Sequence, residues 1–290
     1  MRMVPGSVQH YASRADCNRA FPGKTESQVA LALGLLGSLA LFPLVAVQGR
    51  SIRRRVPCLP PAKPPYCGAV PGTGPAIRVL AIGESTVAGV GLTYGDETVA
   101  AATARALARL TSRPVAWRAE GLSGATVNEA MQRLLPRIKP EPADLLIVAF
   151  SVNDITAYRS PSAFANDLAA LVTAARNRVG EAAAVIAGIA PIVSFPALPW
   201  PLRTILGWRS AALQAAAERL TGRLPCLVVE RLEPLAPDLF AIDGFHPNVQ
   251  AHTLWGEELA ALALPLLADR HRQTSPQASQ PSAVAGCAYA

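Results

Sequence analysis

At 290 residues the chain is long enough for one large domain with a full core, or for two small ones. Hydrophobic residues make up 51%, charged residues 16%, and mean hydropathy is +0.26, values that are high for a soluble protein. The net charge of +7 is unevenly placed: residues 1–75 hold nine Lys/Arg and two Asp/Glu, and residues 76–290 hold eighteen of each, so the main part of the chain is neutral and its composition gives no case for nucleic-acid binding.

Residues 1–28 form an N-terminal segment without hydrophobic periodicity. Residues 29–47 then run nineteen positions without a charge, enough for a helix to cross a hydrocarbon core, and one transmembrane helix is expected there. Gly34, Gly37 and Pro43 are tolerated in such helices. A secretory signal and a buried soluble helix are the rivals, but a signal's apolar stretch is usually shorter and lies nearer the start. Arg50, Arg53, Arg54 and Arg55 follow at once, and dense positive charge beside a span stays cytoplasmic. Arg14, Arg19 and Lys24, partly balanced by Asp16 and Glu26, reduce this asymmetry. The expectation is a single-pass membrane protein with its main domain on the cytoplasmic side. Residues 48–75, basic and then rich in Pro and Gly, read as a linker, and residues 273–290 as a low-complexity, disordered tail. The five cysteines (Cys17, Cys58, Cys67, Cys226, Cys287) are odd in number and lack the spacing of a zinc or redox motif. They argue against a disulfide scaffold and suit a reducing compartment. Cys226, within "LPCLVVE", reads as a small buried apolar residue.

Residues 76–272 alternate in type. "IRVLAIG", "VAWRAE", "ADLLIVAF", "AAAVIAGIAP" and "PCLVVERL" have strand length. "DETVAAATARALARL", "GATVNEAMQRLLPRI", "SPSAFANDLAALVTAARNRV", "RSAALQAAAERL" and "VQAHTLWGEELAALALPLLADRH" have helical pattern and length. Strands alternating with helices predict an α/β domain with a parallel sheet covered on both faces. In such sheets reactive groups gather at the carboxyl ends of the strands.

The first of these strands ends in Gly83-Glu84-Ser85. Ser85 can cap a following helix, and a helix N-terminus also offers free N–H groups to an anion formed beside it. The G-x-S-x-G spacing of a nucleophile elbow is absent. The second strand ends in "EGLSGATVNE", where Gly124 lets a backbone N–H approach a substrate oxygen, or serves an ordinary turn. The third ends in "FSVNDIT", where Asn153 can aim its amide at an oxyanion or shape a turn with Asp154. Near the last helix, Asp243 and His246 stand three apart in "FAIDGFHPNVQAH". In a helical turn that spacing puts them on one face, so the carboxylate can orient the imidazole and leave its other nitrogen for a hydroxyl. Of the other histidines, His10 precedes the apolar run, His271 borders the tail, and His252 falls within the apolar pattern of the last helix as a structural residue. No second His or Cys cluster accompanies His246, which disfavours a metal site.

Taken in order, "IGES", "GLSGAT", "SVND" and "DGFHPN" resemble the four blocks of the SGNH (GDSL-type) hydrolase family over roughly residues 77–268. The resemblance implies a three-layer α/β/α sandwich with a mostly parallel central sheet, and an esterase that needs no metal or other cofactor. It further implies Ser85 as nucleophile, His246 as general base, Asp243 as its orienting acid, and an oxyanion hole made by Ser85 N–H, Gly124 N–H and the Asn153 side chain. Two positions depart from the pattern: Glu84 stands where the family usually has Asp, and Ser151 where it usually has Gly. The implied substrate is a small-molecule or lipid acyl ester. Residues 191–208, with four prolines and several aromatics, are placed over the site as an apolar acyl pocket or as a packed connection. The alternatives are an acyltransferase or carbohydrate O-acetyl esterase using the same serine, and a catalytically silent binding module.

Overall fold

A computed structural model of the protein describes residues 42–225 and 227–274. Contacts divide the chain into two units, Met1–Leu44 and Val45–Ala290, and the second carries the sheet and its helices. Helix α1 (Phe42–Arg55) leads into strands β1 (Cys67–Val70) and β2 (Ile77–Gly83), helix α2 (Val99–Thr111) and β3 (Val115–Gly121). Then come α3 (Val127–Arg133), β4 (Leu145–Ala149), the short α4 (Val152–Thr156), α5 (Pro161–Val179), β5 (Ala183–Ile186), α6 (Leu202–Glu218), β6 (Leu227–Val229) and α7 (Val249–Thr274).

The six strands form one sheet in the order β1-β3-β2-β4-β5-β6, parallel throughout except for β1, which runs antiparallel to β3. Strand residues alternate between the two faces. Ile77, Val79, Ala81, Leu145, Ile147, Ala183 and Val185 share one core with Leu107 of α2 and Leu259, Ala263 and Leu267 of α7. Their neighbours Leu80, Ile82, Leu146, Val148, Ala184 and Ile186 face the other way and are also fully buried. Both faces are therefore covered, and α5 and α6 pack together as the other long helices. The expected α/β architecture with a mostly parallel sheet holds.

Local chemistry explains the helix boundaries. Ser160 caps α5 by accepting from Ala163 N–H. The helix expected over residues 124–138 is confined to α3, because Thr126 and Glu129 form a capping box at its start and Pro136 cannot continue it. Helix α6 starts at Leu202 rather than 209, since Leu202, Ile205 and Leu206 already give it a buried face.

The N-terminal expectations need correction. Residues 48–75 are not a linker: α1 continues to Arg55, and Ala62 and Lys63 bond to Ala88 and Thr93. Strand β1 then adds an edge to the sheet. This edge is only four residues long and largely exposed, so it carries no apolar period to read. Cys67, at its start, lies in the folded unit, whereas Cys226 lies outside the described residues. Of the apolar run 29–47, residues 29–41 lie outside the described residues, as do the segment 1–28 and the tail from 275. Val45 is buried, and the Gln48 side chain bonds Trp200 O at 2.8 Å and Leu202 N at 3.2 Å, so the predicted span does not extend to residue 47. No helix among the described residues is long and apolar enough to cross a membrane.

The edge of the sheet is fastened to α7 by a buried acid just beyond β6. Glu230 Oε2 accepts from Gly188 N–H at 3.0 Å and from Trp255 Nε1–H at 2.8 Å. Burial, aided by nearby Glu258, pushes its pKa up to about 7 against those two bonds. A folded-state pKa above the unfolded value contributes stability at low pH that is lost as pH rises through the folded value. The ordinary value for a glutamate is 4.5, so the loss falls between about pH 4.5 and pH 7. Glu230→Gln keeps an oxygen for both donors and removes the titration. Its Tm, relative to wild type, is expected to climb by several degrees from pH 5 to pH 8, at roughly 2–4 °C per kcal/mol for a domain of this size. A pH-independent Tm difference, read by calorimetry, would contradict this.

Candidate active site

Ser85 stands two residues beyond Gly83, the last residue of β2. No α-helix starts at this serine, so capping is not its task. The chain instead closes a compact turn through Ala88 N–H to Glu84 O at 3.0 Å and Val90 N–H to Ser85 O at 2.9 Å. The end of β3 presses on this turn: a Cβ at Gly121 would lie 2.2 Å from Ala88 N, so only glycine fits. Leu122 N–H also bonds Gly83 O at 2.9 Å, fixing the second loop to the first.

His246 arrives from the far end of the chain. Its Nε2 lies 3.0 Å from Ser85 Oγ and its Nδ1 2.6 Å from Asp243 Oδ2. The other Asp243 oxygen accepts from Phe245 N–H at 2.9 Å and His246 N–H at 3.0 Å, and the acid is buried. Thus the carboxylate holds both the ring and the backbone beneath it. The i,i+3 spacing works through a tight loop and not a helical turn. Gly244 adopts φ +63° within it, and Ala241 N–H bonds His246 O at 2.7 Å. Asn248 closes the loop by capping α7, accepting from Ala251 N–H at 3.0 Å.

Of the expected oxyanion donors, Ser85 N–H and Gly124 N–H have no acceptor among the described residues. Gly124 is in the left-handed region at φ +81° with open space around it. Asn153 is arranged differently: its Nδ2 donates to the Glu84 carboxylate and to Ala125 O, the latter at 3.1 Å. Glu84 is buried and also accepts from the N–H groups of Ser151 at 3.0 Å, Val152 at 2.9 Å and Asn153 at 3.2 Å. Burial pushes its pKa up to about 7, opposed by those three bonds and assisted by Asp154. Ser151 has negative φ, so its side chain causes no backbone strain where the pattern has glycine. Asp154 is fully buried, accepts Val127 N–H at 3.0 Å, and is raised to about 6 by burial. It ties the third loop to the start of α3. The sequence did not expose these two acids as parts of the site, although Glu84 lies beside Ser85 and differs from the family pattern.

His252 is fully buried on α7 without a side-chain partner, and burial, with His246 nearby, lowers its pKa to about 3. It is a neutral core residue, in keeping with the structural role expected. Among the described residues no group of His, Cys, Asp and Glu could hold a metal ion.

A cavity of about 250 Å³ opens at Ser85 and His246, walled by apolar side chains that include Phe150, Val152, Phe195, Leu235, Phe240 and Leu254. Of residues 191–208, Pro191 and Phe195 reach it, while Trp200 and Trp208 are exposed elsewhere. Phe195 meets Phe240 and Phe245 edge to face at centroid distances of 5.3 and 5.1 Å, and Ala197 N–H bonds Gly244 O at 3.1 Å. This segment is therefore strapped to the loop that carries His246. The part of the lining contributed by residues 232–240 had no signal in the sequence.

Comparison with known proteins places the fold. The model of the GDSL-like lipase/acylhydrolase family matches residues 81–254. No match was found among curated protein sequences. Several solved structures share the fold. A family 3 carbohydrate esterase from Clostridium thermocellum is 13% identical, covers 68% of this chain and 99% of its own, and has a TM-score of 0.53. The lipase Lip_vut3 from a goat rumen metagenome is 15% identical over 64% of this chain and 97% of its own, with a TM-score of 0.53. A carbohydrate esterase family 2 enzyme from Myceliophthora fergusii is 18% identical over 68% of this chain and 69% of its own, with a TM-score of 0.52. At these identities the likeness is one of fold. The family match spans more than half of the chain and contains all the loops described above, from Ser85 to His246: the chain belongs to the GDSL-like lipase/acylhydrolase family.

Proposed function

We propose that the protein is a serine esterase that hydrolyses carboxylic esters through an acyl-serine intermediate. One observation carries this reading: the hydrogen-bonded line from Asp243 through His246 to Ser85 ends at the mouth of an apolar cavity. His246 Nε2 takes the Ser85 proton as Oγ attacks the acyl carbon. Asp243 holds the ring by Nδ1–H and stabilises the imidazolium, which returns the proton to the departing alcohol. Water, deprotonated by the same nitrogen, then releases the acid. The N–H groups of Ser85 and Gly124 receive the developing oxyanion, and Asn153 supplies a third donor when its amide is released. A donor of this kind contributes about 10²–10³ in rate.

The cavity favours an apolar acyl group. An apolar cavity of about 150 Å³ already holds benzene, so one of this size has room for an acyl chain of roughly eight carbons. An acetyl group, the alternative suited to a carbohydrate O-acetyl esterase, would leave most of the apolar wall uncovered. Lipid-like esters are accordingly the proposed substrates.

Placement in the cell is a separate proposal. Arg50, Arg53, Arg54 and Arg55 follow the apolar run that begins at residue 29, and on that basis we propose that the esterase domain lies on the cytoplasmic side of a membrane anchored through that run. Alkaline phosphatase fused after residue 272 should then be inactive; a strongly active fusion would mean that the domain is exported.

The chemistry has its own tests. Ser85→Ala and His246→Ala should each lower kcat at least about 10³-fold without unfolding the protein, since members of one catalytic unit are not additive. Asp243→Asn should cost less, and His252→Ala should lower stability more than turnover. Near wild-type hydrolysis by Ser85→Ala would remove the nucleophile. With p-nitrophenyl esters, kcat/KM should rise roughly twofold to fourfold per added methylene until the cavity fills, because each buried methylene contributes about 0.8 kcal/mol. A preference for the acetate over the octanoate would exclude the acyl pocket.

A further inference from the structure

Asn153 carries two amide hydrogens, and both have acceptors in the protein: the Glu84 carboxylate and Ala125 O, the latter at 3.1 Å. These acceptors flank the reaction centre, since Glu84 precedes Ser85 and Ala125 follows Gly124. The Asn153 side chain thus sits beside the proposed oxyanion hole with its donors spent. Glu84 has one methylene more than the aspartate of the family pattern. Its Oε1 receives the N–H groups of Ser151 and Val152, and its Oε2 receives Asn153 through both backbone and side chain. A bond to an ionised acceptor is about twice as strong as a neutral one, so an oxyanion must compete with an acid already in place.

We propose that Glu84 is a positioning residue that withholds the Asn153 amide from the oxyanion hole, so that the third donor operates only when this carboxylate lets go. The resting hole then consists of the backbone N–H groups of Ser85 and Gly124, which have no acceptor among the described residues. Glu84 and Asn153 are coupled energetically, although Glu84 touches no reacting atom. The inference rests on the esterase reading.

A double-mutant cycle in the full-length protein tests it, with Glu84→Asp, Asn153→Ala and the double variant assayed on a soluble p-nitrophenyl ester. Shortening the acid by one methylene keeps a carboxylate for the backbone N–H groups and frees the amide. Asn153→Ala should therefore lower kcat at least tenfold more in the Glu84→Asp background than in wild type, approaching the roughly 10²-fold cost of an engaged donor, with KM little changed. Equal costs in the two backgrounds, whether large or small, overturn the proposal. Should Glu84→Asp fail to fold, phosphonylation of Ser85 by a p-nitrophenyl phosphonate supplies the second readout, because the adduct places an anionic oxygen in the hole. Asn153→Ala alone should slow that reaction by well under 10²-fold, and a loss of 10²-fold or more shows that Glu84 does not withhold the amide. Failure of the underlying reading looks different: wild-type protein would not hydrolyse the ester, or Ser85→Ala would hydrolyse it as well.

Discussion

The parallel pairing of β2 with β3 on one side and β4 on the other is the constraint on which the rest depends. Gly83 stands opposite Gly121 in one ladder and opposite Ala149 in the other, so three strands end at one level. The loops carrying Ser85, Gly124 and Asn153 leave the sheet together, and a one-residue slip in either ladder would turn every strand side chain to the wrong face. Buried residues on both faces hold that register, because a slipped strand would bring apolar groups out of both cores. Small residues then allow the loops to touch: Gly121 meets the Ser85 turn where a Cβ could not fit.

Convergence of strand ends also concentrates polar backbone in a place that excludes water. Glu84, Asp154 and Glu230 are all buried where the chain leaves a strand or enters a short helix, and each accepts backbone N–H groups that would otherwise be unpaired. For all three, burial outweighs those bonds and raises the pKa. The fold therefore accepts a cost in charge burial to fix its loops. Asp243 uses the same device, taking two backbone N–H groups on one oxygen while the other holds His246. Loop fixation and the orientation of His246 are carried by one kind of interaction.

The sequence exposes those parts of the molecule whose signal is local. β2 and β4 are continuous apolar runs, α5 announces itself by Ser160 and Pro161, and Asp243 and His246 share a short motif. What it hides depends on partners far along the chain. β1 is a strand only because β3 offers an edge to it, and residues 48–63 join the folded unit through contacts with residues 88–93 and 200–202. Glu84 is visible as a departure from the family pattern, but its grip on Asn153 depends on a chain return of 69 residues. Asp243 and His246 meet through a loop and not through the helical turn that their spacing suggests. Gly244 at positive φ bends the loop so that three-residue spacing works without a helix.

The cavity wall extends the same logic. Phe195 packs edge to face on Phe240 and Phe245, and Phe245 in turn lies 5.5 Å from the His246 ring. The residues that shape the apolar wall thus form one aromatic cluster with the neighbour of His246, and the Ala197–Gly244 hydrogen bond joins their backbones. Any displacement of Phe195 or Phe240 would therefore press on the loop that carries His246. The cavity wall and the placement of the imidazole are then mechanically linked, because close-packed side chains transmit displacement instead of absorbing it.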